Sequence, residues 1–126
     1  MTPLIIEPKD EITPGVKLDQ QKEIFEISGW SHPEDAISFF TPVLDWLNRY
    51  AQSPNAETNF HFKFQYYNTA SAKQIFRIIS LLETVAEKSK VIINWYYDEE
   101  DTDMLSSGDR YSKMSTIPFK MVINRL

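Results

Sequence analysis

The stretch FQYYNTASAKQIF, residues 64–76, changes character at its midpoint. Phe64 to Tyr67 are strand-type residues, Asn68 to Ser71 are small and polar, and Ala72, Ile75 and Phe76 open a helical periodicity. A strand that passes straight into a helix is the building unit of an α/β domain. Thr69 stands at the junction, where a corner of this kind can cradle a phosphate, hold a nucleophile or simply cap the helix.

The neighbouring segments extend the same pattern. Upstream, Asn59 to Tyr67 alternates, with Phe60, Phe62, Phe64 and Tyr66 on a drier side and His61, Lys63, Gln65 and Tyr67 on the other. Downstream, Ala72, Ile75, Phe76, Ile79, Leu82, Val85 and Ala86 form one apolar stripe opposed by Lys73, Gln74 and Arg77, which predicts a long amphipathic helix. Val91 to Tyr97 is apolar at almost every position, as in a strand covered on both faces.

Farther out, Leu4–Ile6, Val16–Leu18 and Glu23–Ser28 are strand candidates that suggest an antiparallel N-terminal unit, with Gly29 as its end. Ser31-His32-Pro33-Glu34 matches a capping box and predicts the start of a helix. Ala36, Ile37, Phe40, Val43, Leu44, Leu47 and Tyr50 give that helix its buried face. Pro42 should kink it, or restart it with Thr41 as cap, because an interior proline costs about 3 kcal/mol. An acidic loop, DEEDTD, precedes a shorter helix through about Ser112 and a last strand, Phe119 to Ile123. The expected order is β-β-β-α-β-α-β-α-β, an α/β sheet backed by helices in two or three layers.

Composition bounds the function. The 126 residues suit a single domain, 1–126, that buries roughly two thirds of its unfolded surface. With 42% hydrophobic and 25% charged residues the chain is neither disordered nor fibrous. A net charge of −5 without any basic cluster argues against nucleic-acid binding. There is no cysteine, so disulfides and thiolate metal sites are excluded. The N-terminus lacks a basic segment followed by an apolar run, and VIINWYY falls far short of the roughly 20 residues of a membrane helix. A soluble cytoplasmic protein is the expectation.

Familiar catalytic patterns are missing. Gly15, Gly29 and Gly108 are the only glycines, too few for a dinucleotide fingerprint or a P-loop. His32 and His61 lie in separate elements, and a zinc site would need both with added acids. Ser31 beside His32 lacks the geometry of a catalytic pair and is better used as a cap. Residues Asp98 to Asp103 lack the glycine and glutamate spacing of an EF-hand, so a solvated acidic loop is expected, with no metal and no cofactor. Trp46, Trp95, Tyr96 and Tyr97 are core or interface material before they are a ligand pocket.

Several blocks, in order, carry a family resemblance: PLIIEP, FEISGWSHPEDA, PVLDWL, FKFQYYNTASAK and VINWYYDEEDTDML. Over nearly its whole length the chain resembles the SiaC-type regulatory phosphoproteins. The resemblance implies a fold like that of the anti-sigma-factor antagonist (STAS-type) domains. It also implies a non-catalytic bacterial partner switch. In such a switch a protein kinase phosphorylates a threonine and a PP2C-type phosphatase removes the phosphate. The unphosphorylated form binds and activates an effector, in the family a diguanylate cyclase, promoting cyclic di-GMP signalling and biofilm formation. The family's threonine segment maps onto Tyr67-Asn68-Thr69-Ala70-Ser71, so the resemblance assigns Thr69 as the acceptor, with Ser71 as runner-up. Ala70 and Ala72 replace serines expected there and leave fewer rival acceptors.

Capping and phosphorylation are compatible at this corner. Any of Asn68, Thr69 and Ser71 could cap the helix, and a helix N-terminus also favours an anionic phosphate. If the strands ending at Tyr67 and Tyr97 run parallel, Thr69 lies near the acidic loop. The expected partner surface is then Asn68, Thr69, Ser71, Lys73, Asp98, Glu99 and Asp101. A small enzyme centred on His61, or a carrier of an apolar ligand held by the aromatics, are the other classes left open.

Overall fold

In the computed structural model, which describes residues 1–124, the nine elements follow the expected order. They are β1 (Leu4–Ile6), β2 (Gly15–Asp19), β3 (Ile24–Ser31), α1 (Ala36–Tyr50), β4 (Glu57–Tyr67), α2 (Thr69–Val85), β5 (Lys90–Asp98), α3 (Thr102–Met114) and β6 (Phe119–Asn124). All six strands form one sheet whose spatial order is the sequence order. β1, β2 and β3 pair antiparallel. β3 to β6 pair parallel, each step spanned by one helix.

Right-handed crossovers that all advance in the same direction place α1, α2 and α3 on the same face of the sheet. The domain therefore has two layers, and the expectation that β5 is covered on both faces does not hold. Val91, Ile93 and Trp95 point to the helices and are buried, while Ile92 and Tyr96 on the open face are half-buried. One cross-strand row on that open face runs Ile5, Lys17, Glu26, His61, Asn94 and Lys120 through all six strands.

The core between sheet and helices is strongly aromatic. Phe25, Phe40, Trp46, Tyr50, Phe60, Phe62 and Trp95 are all essentially inaccessible. Burying an apolar side chain of this size stabilises by about 1.5–3 kcal/mol. Tyr50 and Thr58 share a 2.7 Å hydrogen bond and Thr58 continues it to Ser89 at 2.8 Å, so the hydroxyls buried at that end are satisfied.

Local details differ from the sequence expectation. Ser31 does not cap α1. It is the last residue of β3, which runs on through Gly29, and Asp35 is the cap, its carboxylate accepting from Ser38 N at 3.1 Å and Ser38 Oγ at 2.8 Å. Those hydrogen bonds hold the Asp35 carboxyl below its ordinary range. α1 continues through Pro42 without a restart, and Thr41 donates its hydroxyl to Ile37 O at 2.7 Å rather than capping. Ile37 is exposed, and Trp46 takes a place on the buried face. In α2 the buried stripe runs Ser71, Gln74, Ile75, Ile78, Ile79, Leu82 and Val85. Phe76 lies one 100° step off it and is exposed, as is Ala86.

A bulge decides the end of β4. Gly29 pairs with Phe64, yet the next residue, Trp30, pairs with Tyr66, so Gln65 is the extra residue in β4. Gly29 has φ +96°, a left-handed value that a glycine tolerates without penalty. Beyond the bulge the alternation is reversed. Tyr66 leaves the dry side on which the pattern Phe60-Phe62-Phe64 placed it and is exposed, while Tyr67 turns toward the helices, 5.6 Å from Phe64 and 6.3 Å from Trp95 between ring centroids.

Candidate functional site

The corner after β4 is built around one backbone carbonyl. Ser31 O, at the end of β3, accepts from Asn68 N at 2.9 Å and from Ser71 Oγ at 3.1 Å. Ser31 Oγ and Ser71 Oγ are also 2.8 Å apart, and both residues are fully buried. Asn68 is the N-cap: its backbone is extended and its Oδ1 accepts from Ser71 N at 2.8 Å. Thr69 is the first helical residue and is exposed. Two residues of helix are about 200° of rotation, so fixing Ser71 inward turns Thr69 outward.

Thr69 faces a cleft of about 620 Å³ between this corner and α3. One wall is Gln65, Tyr66, Tyr67, Asn68, Thr69 and Ala72. Opposite stand Met104, Ser107, Arg110, Tyr111 and Met114, which recur at helical spacing on one face of α3. Asp101 and Asp103 close the end. β4 and β5 are parallel, so the chain leaves both strands at the same edge of the sheet, and this brings the acidic segment to the Thr69 corner.

α3 is held against this wall by close packing. Trp95 Nε1 donates to Met104 O at 3.0 Å, and a Cβ at Gly108 would collide with the Trp95 indole. Tyr111 donates its hydroxyl to Ala72 O in the first turns of α2 at 2.9 Å. Burial, reinforced by the neighbouring Tyr67, pushes the Tyr111 phenol well above its ordinary range, so it stays protonated and keeps donating. Asp101 caps α3, accepting from Met104 N at 2.9 Å. Among the described residues Arg110 is the only lysine or arginine lining the cleft, and its Nη2 meets Ser107 Oγ at 3.3 Å.

Of the residues expected at the partner surface, Asn68, Thr69 and Asp101 line the cleft. Ser71 lies buried behind them, Lys73 is exposed one turn along α2 outside the lining, and Asp98 and Glu99 are exposed beyond it. Asp98 Oδ1 accepts from Asn124 Nδ2 at 3.1 Å. Sequence reasoning missed the α3 wall. Its signal was the spacing of Met104, Ser107, Tyr111 and Met114, diluted by the polar residues between them.

The open sheet face carries a second polar group. His61 Nδ1 lies 2.9 Å from Tyr96 Oη, Lys63 pairs with Glu26 at 3.3 Å, and Lys63 Nζ lies 5.1 Å from the Tyr96 ring centroid. Burial, with Lys63 adding to it, pushes the His61 pKa down, so the ring is neutral near pH 7. At the top of this face Trp30 and Tyr66 are both exposed, with ring centroids 5.2 Å apart and His32 beside them. Among the described residues no group of histidine, aspartate and glutamate could hold a metal, and no helix is long and apolar enough to cross a membrane.

Comparison with known proteins agrees with this architecture. An uncharacterised protein of Pseudomonas aeruginosa (strain UCBPP-PA14) is 26% identical over 113 residues, covering 89% of this chain and 90% of that one. The structure of SiaC of Pseudomonas aeruginosa superposes with a TM-score of 0.86 at 25% identity, covering 98% of this chain and all of the other. A chain in the crystal structure of the diguanylate cyclase SiaD in complex with its activator SiaC, from the same organism, matches with a TM-score of 0.87 at 25% identity over 96% of this chain and 99% of that one. The profile of the SiaC family regulatory phosphoproteins matches residues 6–124, nearly the whole sequence, and the chain belongs to that family.

Proposed function

We propose that this protein is a non-catalytic bacterial switch whose unphosphorylated form binds and activates a diguanylate cyclase, in the cytoplasm, and that Thr69 is its phosphorylated residue. A protein kinase adds the phosphate and a PP2C-type phosphatase removes it. The observation that carries the assignment is the opposed orientation of two hydroxyls: Thr69 is exposed at the cleft, whereas the Ser71 hydroxyl is buried against Ser31. A kinase reaches the first in the folded protein and the second only after the corner opens. The described relative that sits in a complex as the activator of a diguanylate cyclase supports that class of effector.

The site tolerates the modification. A phosphate adds about −1.5 to −2 charges, and at the first residue of a helix it meets free N–H groups and the positive end of the dipole. The fold then persists and the change is felt by the docking partner. The partner surface consists of Asn68, Thr69 and Asp101 with the walls of the cleft, extended by Lys73, Asp98 and Glu99 on its margins.

The test is incubation with the cognate kinase and ATP, mapping of the product by mass spectrometry, and measurement of cyclase binding before and after. Phosphate on Thr69, absent in Thr69→Ala, with binding lost on phosphorylation and kept in Thr69→Ala, is the expected result. Full labelling of Thr69→Ala would refute the site, and equal cyclase binding by both forms would refute the switch. The tyrosine and methionine lining of the cleft favours one second reading, a carrier of a small apolar ligand. A ligand retained in native mass spectrometry and lost on Tyr111→Ala would support it.

A further inference from the structure

We propose that Arg110 is the receptor for a phosphate carried by Thr69, so that modification ties α2 to α3 across the cleft and fills the space a partner would use. This rests on the assignment of Thr69 made above and deepens it.

Both residues line the same cleft, one on each wall. The register of α3 is fixed next to Arg110, because Tyr111 donates to Ala72 O at 2.9 Å, and Ala72 is one helical turn from Thr69. The Tyr111 contact therefore holds the part of α3 that carries Arg110 against the first turns of α2. Among the described residues Arg110 makes no ion pair, and its guanidinium is engaged only by the 3.3 Å contact with Ser107 Oγ. A phosphate monoester dianion offers the paired acceptor oxygens that a guanidinium fork matches, and displaces a neutral hydroxyl easily.

The acids of the cleft act in the opposite sense, and their placement limits them. Asp101 is committed to capping α3 through Met104 N. Asp103 closes the same cleft and opposes the phosphate, but it is seven residues from Arg110, about 10 Å along the helix axis, and forms no ion pair with it. Lys73 is the competing cation, four residues after Thr69 on the exposed side of α2. It lies outside the cleft lining and offers a point charge rather than a fork.

The experiment uses full-length protein with phosphothreonine placed at position 69 by genetic encoding, so that it does not depend on any kinase. Phosphorus NMR follows the second ionisation of the phosphate in the parent, Arg110→Gln and Lys73→Gln proteins, with circular dichroism confirming that each is folded. The expected result is a phosphate pKa about one unit lower in the parent than in Arg110→Gln, and little changed by Lys73→Gln. Equal titration in the parent and Arg110→Gln, or a shift lost only in Lys73→Gln, would overturn the proposal. A kinase that failed to label Thr69 would instead overturn the assignment on which it rests and leave this measurement standing.

Discussion

Ser31 Oγ and Ser71 Oγ lie 2.8 Å apart in the interior and join the last residue of β3 to the first turn of α2 across 40 residues of sequence. Ser71 also donates to Ser31 O, so the pair is asymmetric. Ser71→Ala leaves the Ser31 hydroxyl buried without its partner, whereas Ser31→Ala leaves Ser71 its carbonyl acceptor. Urea denaturation should show Ser71→Ala losing about 1–3 kcal/mol and Ser31→Ala losing less. The reverse order would mean that Ser31 Oγ has another partner.

Gly108 is where α3 touches Trp95, and a Cβ there collides with the indole. The obstacle is a buried ring, so the helix has to shift. Gly108→Ala should destabilise by about 1–3 kcal/mol despite its better helix propensity, and should change the environment of Trp95. Unchanged stability together with an unchanged Trp95 indole resonance would show that α3 is not seated as described.

Pro42 stands inside α1 on its exposed side and lacks the N–H that an interior helical residue donates. Pro42→Ala restores that donor. The thermal midpoint should rise, by the equivalent of up to about 3 kcal/mol. A fall would mean that the ring restricts the unfolded chain by more than it costs the helix.

His61 gives the open face a pH dependence. Its ring is surrounded by Lys63 on its own strand, Glu26 on β3 and Tyr96 on β5, and its folded pKa is depressed below 6.5, first by burial and then by Lys63. The unfolded chain takes up the proton more readily. The stability contributed is therefore present above pH 6.5 and is lost as the pH falls through the folded pKa. His61→Gln removes that dependence, so stability measured in urea from about pH 7 to about pH 5 should fall less steeply than in the parent protein. Parallel profiles would show that the ring titrates as it does in water.

The order of elements was legible because each strand and helix carried its own period. Glu57–Tyr67 alternates and Thr69–Val85 repeats every three or four residues, so the corner between them was visible before any tertiary contact was known. Errors cluster where a distant partner intervened. The capping box at Ser31 is locally correct in residue type, but pairing with β4 kept Ser31 extended and left Asp35 to cap α1. Tyr66 followed the alternation until the bulge at Gln65 reversed it. Gln74 and Phe76 exchanged roles because the buried arc of α2 was set by the elements it packs against.

At the candidate site the division has the same origin. The sequence by itself determined a strand-to-helix corner with Asn68, Thr69 and Ser71 in its first turn and an acidic loop after the next strand. It did not determine which hydroxyl faces solvent, since all three side chains suit a helix start. The hydrogen bonds of Ser71 and Asn68 to Ser31 fixed that. Likewise the cleft exists because parallel strands and one-sided crossovers bring α3 beside the start of α2, and because Gly108 lets α3 settle on Trp95. Periodicity is a property of neighbouring residues; the meeting of Thr69 and Arg110 in the lining of one cleft depends on contacts between residues some 40 positions apart, which local pattern does not encode.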